Sequence, residues 1–130
     1  MQIPRALADE LLEAARSEAP NECCGLVGVD GETAVAYWPV TNDAASPLRF
    51  EMNPRDQLRA FQEIEERGLE VSIFHSHTRS PAYPSQTDVN FAGLWPGATW
   101  VVAGVAKGAS ELRAYAIDGA RVEELTVETG

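Results

Sequence analysis

Histidine, cysteine and basic residues are scarce in this chain of 130 residues. It contains two histidines, two cysteines and ten lysines and arginines, against twenty aspartates and glutamates, so its formal net charge is −10. Nucleic-acid binding requires a basic surface that neutralises phosphates, and this charge balance argues against it. The two cysteines are adjacent, Cys23 and Cys24, which fits neither a disulfide framework nor the ligand spacing of a zinc finger.

Long apolar runs, internal repeats and low-complexity segments are also missing from the sequence. No stretch approaches the roughly 18 apolar residues of a membrane span, and no leader of signal-peptide type opens the chain. We therefore expect no membrane partner and a cytoplasmic protein. The length predicts a single domain over residues 1–130, which can bury about two thirds of its unfolded surface without disulfides.

Both histidines lie in one segment, Val71–Asp88. A run rich in β-branched and aromatic residues leads into them, and this composition predicts a strand. Residues two apart on a strand share a face, so His75 and His77 are expected to point in the same direction. Two imidazoles arranged in this way can bind one metal ion.

Ser85 and Asp88 follow the histidines after a loop that Pro81 and Pro84 restrict. The pattern Ser-x-x-Asp opens a helix-compatible run, Ser85–Leu94, and predicts Ser85 as the N-cap with Asp88 at the third helical position. Two imidazoles and one carboxylate leave the fourth corner of a tetrahedral zinc ion for water, which is the catalytic rather than the structural arrangement. Each pattern alone is also common without a metal, as a core histidine pair or a simple helix cap.

With a glutamate far upstream, these residues resemble a family signature. The histidine pair, the Ser85-x-x-Asp88 pattern after seven intervening residues, and Glu22 in Asn-Glu-Cys-Cys-Gly are similar to the signature of the JAMM (MPN+) zinc metallopeptidases. The resemblance extends over nearly the whole chain and is to the small prokaryotic members. It implies an α/β fold of the α+β type, with a mixed, curved sheet flanked by helices in a cytidine-deaminase-like layout.

The resemblance also implies a role for each site residue. His75, His77 and Asp88 would bind one Zn²⁺ ion with water as the fourth ligand, although these ligand types also suit Fe²⁺ or Mn²⁺. Glu22 would take the water's proton as it attacks a carbonyl and pass it to the departing amine. Ser85 would donate its hydroxyl to the developing oxyanion, and the helix cap is expected to compete for the same hydroxyl.

The substrate that the resemblance implies is a small protein with a ubiquitin-like fold. It would be a sulfur carrier bearing a C-terminal amino acid such as cysteine, or a ubiquitin-like modifier linked to lysine. The insertions with which eukaryotic deubiquitinases of the family grip ubiquitin have no room in 130 residues, so ubiquitin itself is not expected. An extended C-terminal tail would add to an exposed strand beside the metal and gain backbone hydrogen bonds.

Three alternatives are weighed against a metallopeptidase. A non-catalytic MPN-type scaffold or partner-binding module would have the same fold, but such relatives typically lack the ligands. A purely structural zinc domain usually has four protein ligands, and three are visible. A cysteine nucleophile at Cys23 or Cys24 is disfavoured because the only histidines that could activate it are the metal candidates. Association into a homodimer is left open.

The rest of the chain predicts short elements around the histidine segment. Pro4–Ser17 has good helix formers and an apolar stripe, which predicts a packing helix. Asn53 and Pro54 predict the start of a second helix that ends at Gly68. Its core-facing residues are predicted to be Leu58, Phe61 and Ile64. The loop 41–47 is interpreted as a connector, with substrate contact as the alternative. Besides the histidine strand, strands are predicted at Cys24–Val29, Glu32–Pro39, Leu48–Met52, Thr99–Val105, Glu111–Ile117 and Val122–Val127.

Overall fold

The computed structural model describes residues 1–130 and contains one six-stranded sheet and three α-helices. The helices are α1 (Arg5–Glu18), α2 (Pro54–Glu66) and α3 (Gln86–Ala92). The strands are β1 (Cys24–Asp30), β2 (Thr33–Val40), β3 (Glu70–His77), β4 (Thr99–Gly104), β5 (Glu111–Asp118) and β6 (Arg121–Leu125). Residues 106–108 form a single 3₁₀ turn. The predicted α+β class is confirmed, and most predicted boundaries agree within one or two residues.

The strand order of the sheet is β2-β1-β3-β4-β5-β6. Strands β3 and β4 run parallel, while the other neighbouring pairs are antiparallel, so the sheet is mixed as expected. Parallel neighbours require a crossover connection, and the segment that contains α3 supplies it. The histidine strand β3 therefore lies inside the sheet, with hydrogen-bonded neighbours on both sides.

Two hydrophobic clusters cover the two faces of the sheet, because successive strand residues point to opposite faces. Ile73 lies in the cluster that includes α2, and its neighbour Phe74 lies in the cluster that includes α1. Both side chains are fully buried, as is Trp100 beside Ile73. None of the helices has the length and apolar character needed to cross a membrane.

Helix α2 starts and stops where its sequence predicts. The Asn53 side chain accepts hydrogen bonds from the backbone N–H groups of Arg55 and Asp56, and Gly68 takes a positive φ of 69° just beyond the helix. The prediction that Leu58 faces the core is wrong, since its side chain is 57% exposed. At about 100° per residue, Leu58 lies about 120° around the helix from the buried Ile64.

The predicted strand at Leu48–Met52 is also wrong. These residues belong to an irregular loop, residues 41–53, whose only bridge joins Asn42 to Met52. The apolar alternation that suggested a strand has another cause, because Phe50 and Met52 are buried individually while Leu48 is 66% exposed. Residues 48–52 lie opposite only the first residues of the same loop, so they form one bridge and no continuous strand pairing.

Candidate metal centre

His75 and His77 occupy the C-terminal end of β3, and both side chains are buried. His75 pairs with Cys24 of β1 on one side and with Val102 of β4 on the other, and His77 pairs with Gly104. The strand is therefore paired with β1 as far as His75 and with β4 as far as His77. The predicted same-face arrangement is present, because the two Nε2 atoms are 3.1 Å apart.

Asp88 reaches the histidines from the first turn of α3. A capping box fixes it, in which the Asp88 N–H donates to Ser85 Oγ at 3.1 Å and the Ser85 N–H donates to Asp88 Oδ2 at 2.8 Å. The expected competition for the Ser85 hydroxyl is wrong. In the cap the oxygen of Ser85 only accepts, so its hydrogen remains free to donate.

The three predicted ligand atoms form a nearly equilateral triangle. Asp88 Oδ2 lies 3.0 Å from His75 Nε2 and 3.1 Å from His77 Nε2, close to the separation of the two nitrogens. Tetrahedral zinc with bonds of about 2.0–2.1 Å places its ligand atoms about 3.3 Å apart. Two nitrogens and one carboxylate oxygen, all buried at this spacing, fit one zinc ion with one open position.

The two imidazoles are oriented by different surroundings. His77 Nδ1 lies 2.9 Å from the Pro81 carbonyl oxygen, so it carries the hydrogen and leaves the Nε2 lone pair free for a metal. His75 Nδ1 has no hydrogen-bond partner. The His75 ring is instead stacked on Phe50, with ring centres 4.7 Å apart, and meets Trp100 edge-on at 5.8 Å. Packing against these two rings, together with the contact of its Nε2 with Asp88, therefore orients His75.

Glu22 lies just before β1 and is only 4% exposed. Its carboxylate and the two histidines offer ligand atoms that all lie within 4.8 Å of one another. Asp88 Oδ2 closes a triangle with the two Nε2 atoms at 3.0 and 3.1 Å, so we propose Asp88 as the third ligand and an adjacent position for Glu22. Glu22 Oε1 has no hydrogen-bond partner, which is costly for a buried oxygen. A water molecule between this oxygen and the ligand triangle would satisfy it.

Burial and hydrogen bonding place the site groups in different protonation states. Burial raises the pKa of Glu22 to about 8, although the nearby His77 opposes this shift. Burial acts in the same sense on the pKa of Asp88, but hydrogen bonds from both histidines outweigh it and hold that pKa well below its usual range. Burial lowers the pKa of His75. Asp88 is thus ionised and His75 neutral, as metal ligation requires. Burial opposes the charged form of His77, but its contacts with Asp88 and the Pro81 carbonyl outweigh burial and raise its pKa, so a metal would displace a proton from this ring.

Polar contacts that sequence reasoning missed hold the backbone around Glu22. The Cys23 N–H donates to Ser76 Oγ at 2.8 Å, and the Ser76 N–H donates to the Cys23 carbonyl at 3.0 Å. The Thr78 hydroxyl donates to the Pro20 carbonyl at 2.7 Å. Strand alternation turns Ser76 to the face opposite the two histidines that flank it. A polar side chain on this buried face needs a hydrogen-bond partner, and from that requirement the contact with Cys23 could have been predicted.

The cysteines beside Glu22 belong to the core. Cys23 and Cys24 are buried in different hydrophobic clusters, on opposite faces of the sheet. Burial raises the pKa of Cys23 to about 11 and that of Cys24 to about 12, so both remain protonated thiols at neutral pH. A nucleophilic role requires the thiolate, and neither cysteine supplies it.

A large cavity lies away from these residues. It has a volume of about 850 Å³, and its lining includes Phe61, Val71 and Trp95 but none of the predicted site residues. A smaller cavity of about 350 Å³ adjoins Glu22, and its lining includes Asn42 and Tyr37. Chemical character, rather than size, identifies the site here.

Comparison with known proteins agrees with the geometry. The family model described as prokaryotic homologs of the JAB domain matches residues 4–118. The chain belongs to this family. It is thus a small prokaryotic-type member of the JAMM/MPN+ proteins, as the signature residues indicate.

Three relatives with names that describe an activity are similar to this JAB-domain chain over most of its length. The CysO-cysteine peptidase of Mycobacterium tuberculosis is 37% identical over 123 residues, which covers 91% of this chain and 84% of the relative. The desampylase of Pyrococcus furiosus is 33% identical over 77% of this chain and 71% of the relative. A Thermus thermophilus protein named for cleaving TtuB-protein conjugates is 32% identical over 88% of this chain and 74% of the relative.

Among solved structures, a protein of Desulfitobacterium hafniense has the same fold. Its solution structure superposes with a TM-score of 0.86 at 29% identity, over 99% of this chain and 92% of that protein. A JAB1/MPN domain protein of Archaeoglobus fulgidus superposes with a TM-score of 0.65 at 21% identity, over 99% of this chain and 98% of that protein, so the mixed sheet and its helices have the JAB/MPN fold.

Proposed function

We propose that this chain is a zinc metallopeptidase that hydrolyses a peptide or isopeptide bond at the C-terminus of a ubiquitin-like or sulfur-carrier protein. The observation that carries the proposal is the buried triangle of His75 Nε2, His77 Nε2 and Asp88 Oδ2, with the unpaired Glu22 carboxylate beside it. The named activities of the relatives, which cleave carrier or conjugate bonds, support the same class of reaction.

Each residue of the site has a task that follows from its surroundings. Zinc, when bound, supplies Lewis-acid polarisation and a water molecule of lowered pKa. His75, His77 and Asp88 hold the ion. Glu22 accepts a proton at its unpaired oxygen and delivers it to the leaving nitrogen, for which a carboxylate made more basic by burial is suited. Ser85 donates its free hydroxyl hydrogen to the oxygen that becomes negative.

The decisive experiment measures zinc content and cleavage on the same preparations. The substrate is a ubiquitin-like carrier with one extra C-terminal residue, and the variants are Glu22→Gln and, as a matched control, Glu18→Gln at the exposed end of α1. Glu22→Gln should keep about one zinc per chain and lose cleavage by 10²-fold or more, because a positioned acid or base contributes about 10²–10⁴. Glu18→Gln should keep both.

The outcomes separate this proposal from its main alternative. Unchanged cleavage by Glu22→Gln would remove the assigned base. Stoichiometric zinc without turnover on carriers with linear and lysine-linked extensions would favour a non-catalytic MPN-type binding module. The residues of the proposed site resemble the signature of the catalytic members of the family, which is why hydrolysis is the preferred function.

The outer edge of β2, which Gln2 occupies only at the Thr33 end, is the proposed docking position for the substrate tail. The histidine strand cannot serve, because β1 and β4 occupy both of its edges. Strand β2 is an edge strand, and its last residue, Val40, pairs with Cys24 near Glu22. An extended tail added there would approach the site through backbone hydrogen bonds. Crosslinks from the tail to β6 instead of β2 would contradict this position.

A single domain over residues 1–130, a cytoplasmic location and a homodimer stay predictions from the sequence. Size measurement in solution and fractionation of the producing cell test the last two. The proposed hydrolysis needs none of them, because all the proposed site residues come from one chain.

A further inference from the structure

The Asn42 side chain makes four hydrogen bonds at the junction between Glu22 and the 41–53 loop. Its Nδ2 donates to the Glu22 carbonyl at 2.9 Å and to the Arg49 carbonyl at 3.3 Å. Its Oδ1 accepts from the N–H groups of Ala44 at 3.0 Å and Glu51 at 2.9 Å. An asparagine side chain offers two donor hydrogens and one acceptor oxygen with two lone pairs, so all of its capacity is used.

Two of these bonds lie on either side of Phe50. Arg49 and Glu51 are its chain neighbours, and Asn42 holds the carbonyl of the first and the N–H of the second. The Phe50 ring, only 8% exposed, is the one stacked on His75 at 4.7 Å. Because His75 Nδ1 has no hydrogen-bond partner, packing against Phe50 helps to orient this imidazole, beside the contact of its Nε2 with Asp88.

The remaining bond acts on the proposed base. Glu22 has its N–H bonded to the Ser46 carbonyl at 2.9 Å and its carbonyl bonded to Asn42, so the 41–53 loop holds both polar groups of its backbone. The Glu22 side chain itself has an unpaired oxygen. The direction of the carboxylate therefore depends on the backbone from which it extends.

We infer that Asn42 is a positioning residue, which sets the Glu22 backbone and the Phe50 ring over His75 together. This inference rests on the proposed function for its kinetic part. One side chain thereby couples the base to a metal ligand across the loop. Groups that orient metal ligands typically affect activity or affinity by about 10–100-fold, and an error of 1 Å in a reacting group can have a similar effect.

Asn53 provides a matched control on the same loop. It is also half-buried and also uses its whole side chain, accepting from the N–H groups of Arg55 and Asp56 and donating to the Asp43 carboxylate. None of these partners is Glu22 or a neighbour of Phe50. Asn53→Ala therefore removes as many hydrogen bonds as Asn42→Ala without touching the two groups in question.

The test combines kinetics with a spectroscopic readout in the zinc-loaded protein. Asn42→Ala should lower kcat by 10–100-fold with little change in KM and unchanged zinc content, while Asn53→Ala should keep kcat. Since the chain has only two histidines, a proton–nitrogen correlation spectrum of the imidazoles contains only their signals. The His75 signals should shift in Asn42→Ala, because the Phe50 ring current changes, and stay in place in Asn53→Ala.

A second variant keeps the test valid if Asn42→Ala folds poorly. Asn42→Asp retains the acceptor oxygen for Ala44 and Glu51 but places a carboxylate oxygen against the carbonyls of Glu22 and Arg49. We expect the same loss of kcat from it. The inference is overturned if His75 does not shift, or if kcat falls no further than in Asn53→Ala. A wild type without any cleavage would defeat the proposed function, and the histidine spectra would still decide the role of Asn42.

Discussion

The Glu22 carboxylate is buried, and because burial removes it from water, its ionisation costs free energy. Its raised pKa of about 8 means that, without metal, the folded chain holds a proton at Glu22 more tightly than the unfolded chain does. The stabilising contribution of this protonated group is complete below the unfolded pKa near 4.5 and is lost as the pH rises through about 8. Glutamine mimics the protonated form and removes this dependence.

We therefore predict that Glu22→Gln gains stability relative to wild type as the pH rises. In metal-free protein, the difference in free energy of unfolding should grow by on the order of 3 kcal/mol between pH 5 and pH 8. Urea unfolding of both proteins at the two pH values, after treatment with a chelator, measures it. A difference that stays constant with pH would show that Glu22 ionises normally in the folded protein.

Single residues also show where sequence reasoning reached its limit. The role of Glu22 came from a family signature, because an acidic residue before a strand is ordinarily solvated. Asn42 gave no signal, because its four partners are backbone groups whose positions depend on the folded 41–53 loop. Leu58 was misassigned since its spacing from Phe61 suits a shared face, whereas its spacing from Ile64 does not.

At the scale of elements, α3 links helix capping to the proposed metal site. Ser85 and Asp88 close the capping box, and the oxygen of Asp88 that accepts from the Ser85 N–H is also the one nearest both histidines. The start of the helix thus fixes the position of the carboxylate. The local pattern Ser-x-x-Asp was enough to predict this cap, because all of its bonds lie within four residues.

Ser85→Gly should separate the two roles of this serine. Glycine is a tolerated N-cap, so the free energy of unfolding should change by only a few tenths of a kcal/mol. Loss of the hydroxyl should lower kcat by about 10²–10³, if it acts as one oxyanion donor. Thermal unfolding and cleavage rates of Ser85→Gly and Ser85→Thr provide the comparison. Full activity of the glycine variant would exclude an oxyanion role.

Elements that depend on distant partners were predicted less well than α3. The apolar alternation at Leu48–Met52 is genuine, but a strand also needs a neighbouring strand with free backbone groups. The folded loop offers no such neighbour, and the sequence does not reveal this. The strands of the sheet are predictable because each contains an apolar run that is long enough to indicate burial. Their order was not predicted, since it depends on which strands meet across the sheet.

At the scale of the whole molecule, the hydrophobic core is built without the proposed site residues. The hydrophobic clusters on the two faces of the sheet contain 14 and 13 buried residues, and α1 and α2 are packed or capped without any of the proposed site residues. This differs from structural zinc sites, which supply the folding energy themselves.

We predict that the chain stays folded when zinc is removed. Far-ultraviolet circular dichroism of chelator-treated protein should retain the spectrum of the zinc-loaded form, while the melting temperature falls because a ligand of the native state has been lost. Addition of zinc should restore both the melting temperature and cleavage. A random-coil spectrum after chelation would instead identify a structural metal site.

The strand order also governs when the site can exist during folding. Cys23 and Ser76, whose mutual hydrogen bonds place Glu22 beside the histidine strand, are 53 residues apart in the chain. Closing so long a loop belongs to the slow, non-local part of folding, and it must precede the capture of an ion by the complete site. Zinc is therefore expected to slow unfolding and to leave the rate of folding unchanged, so that a nascent chain acquires hydrolytic capacity only after its sheet has closed.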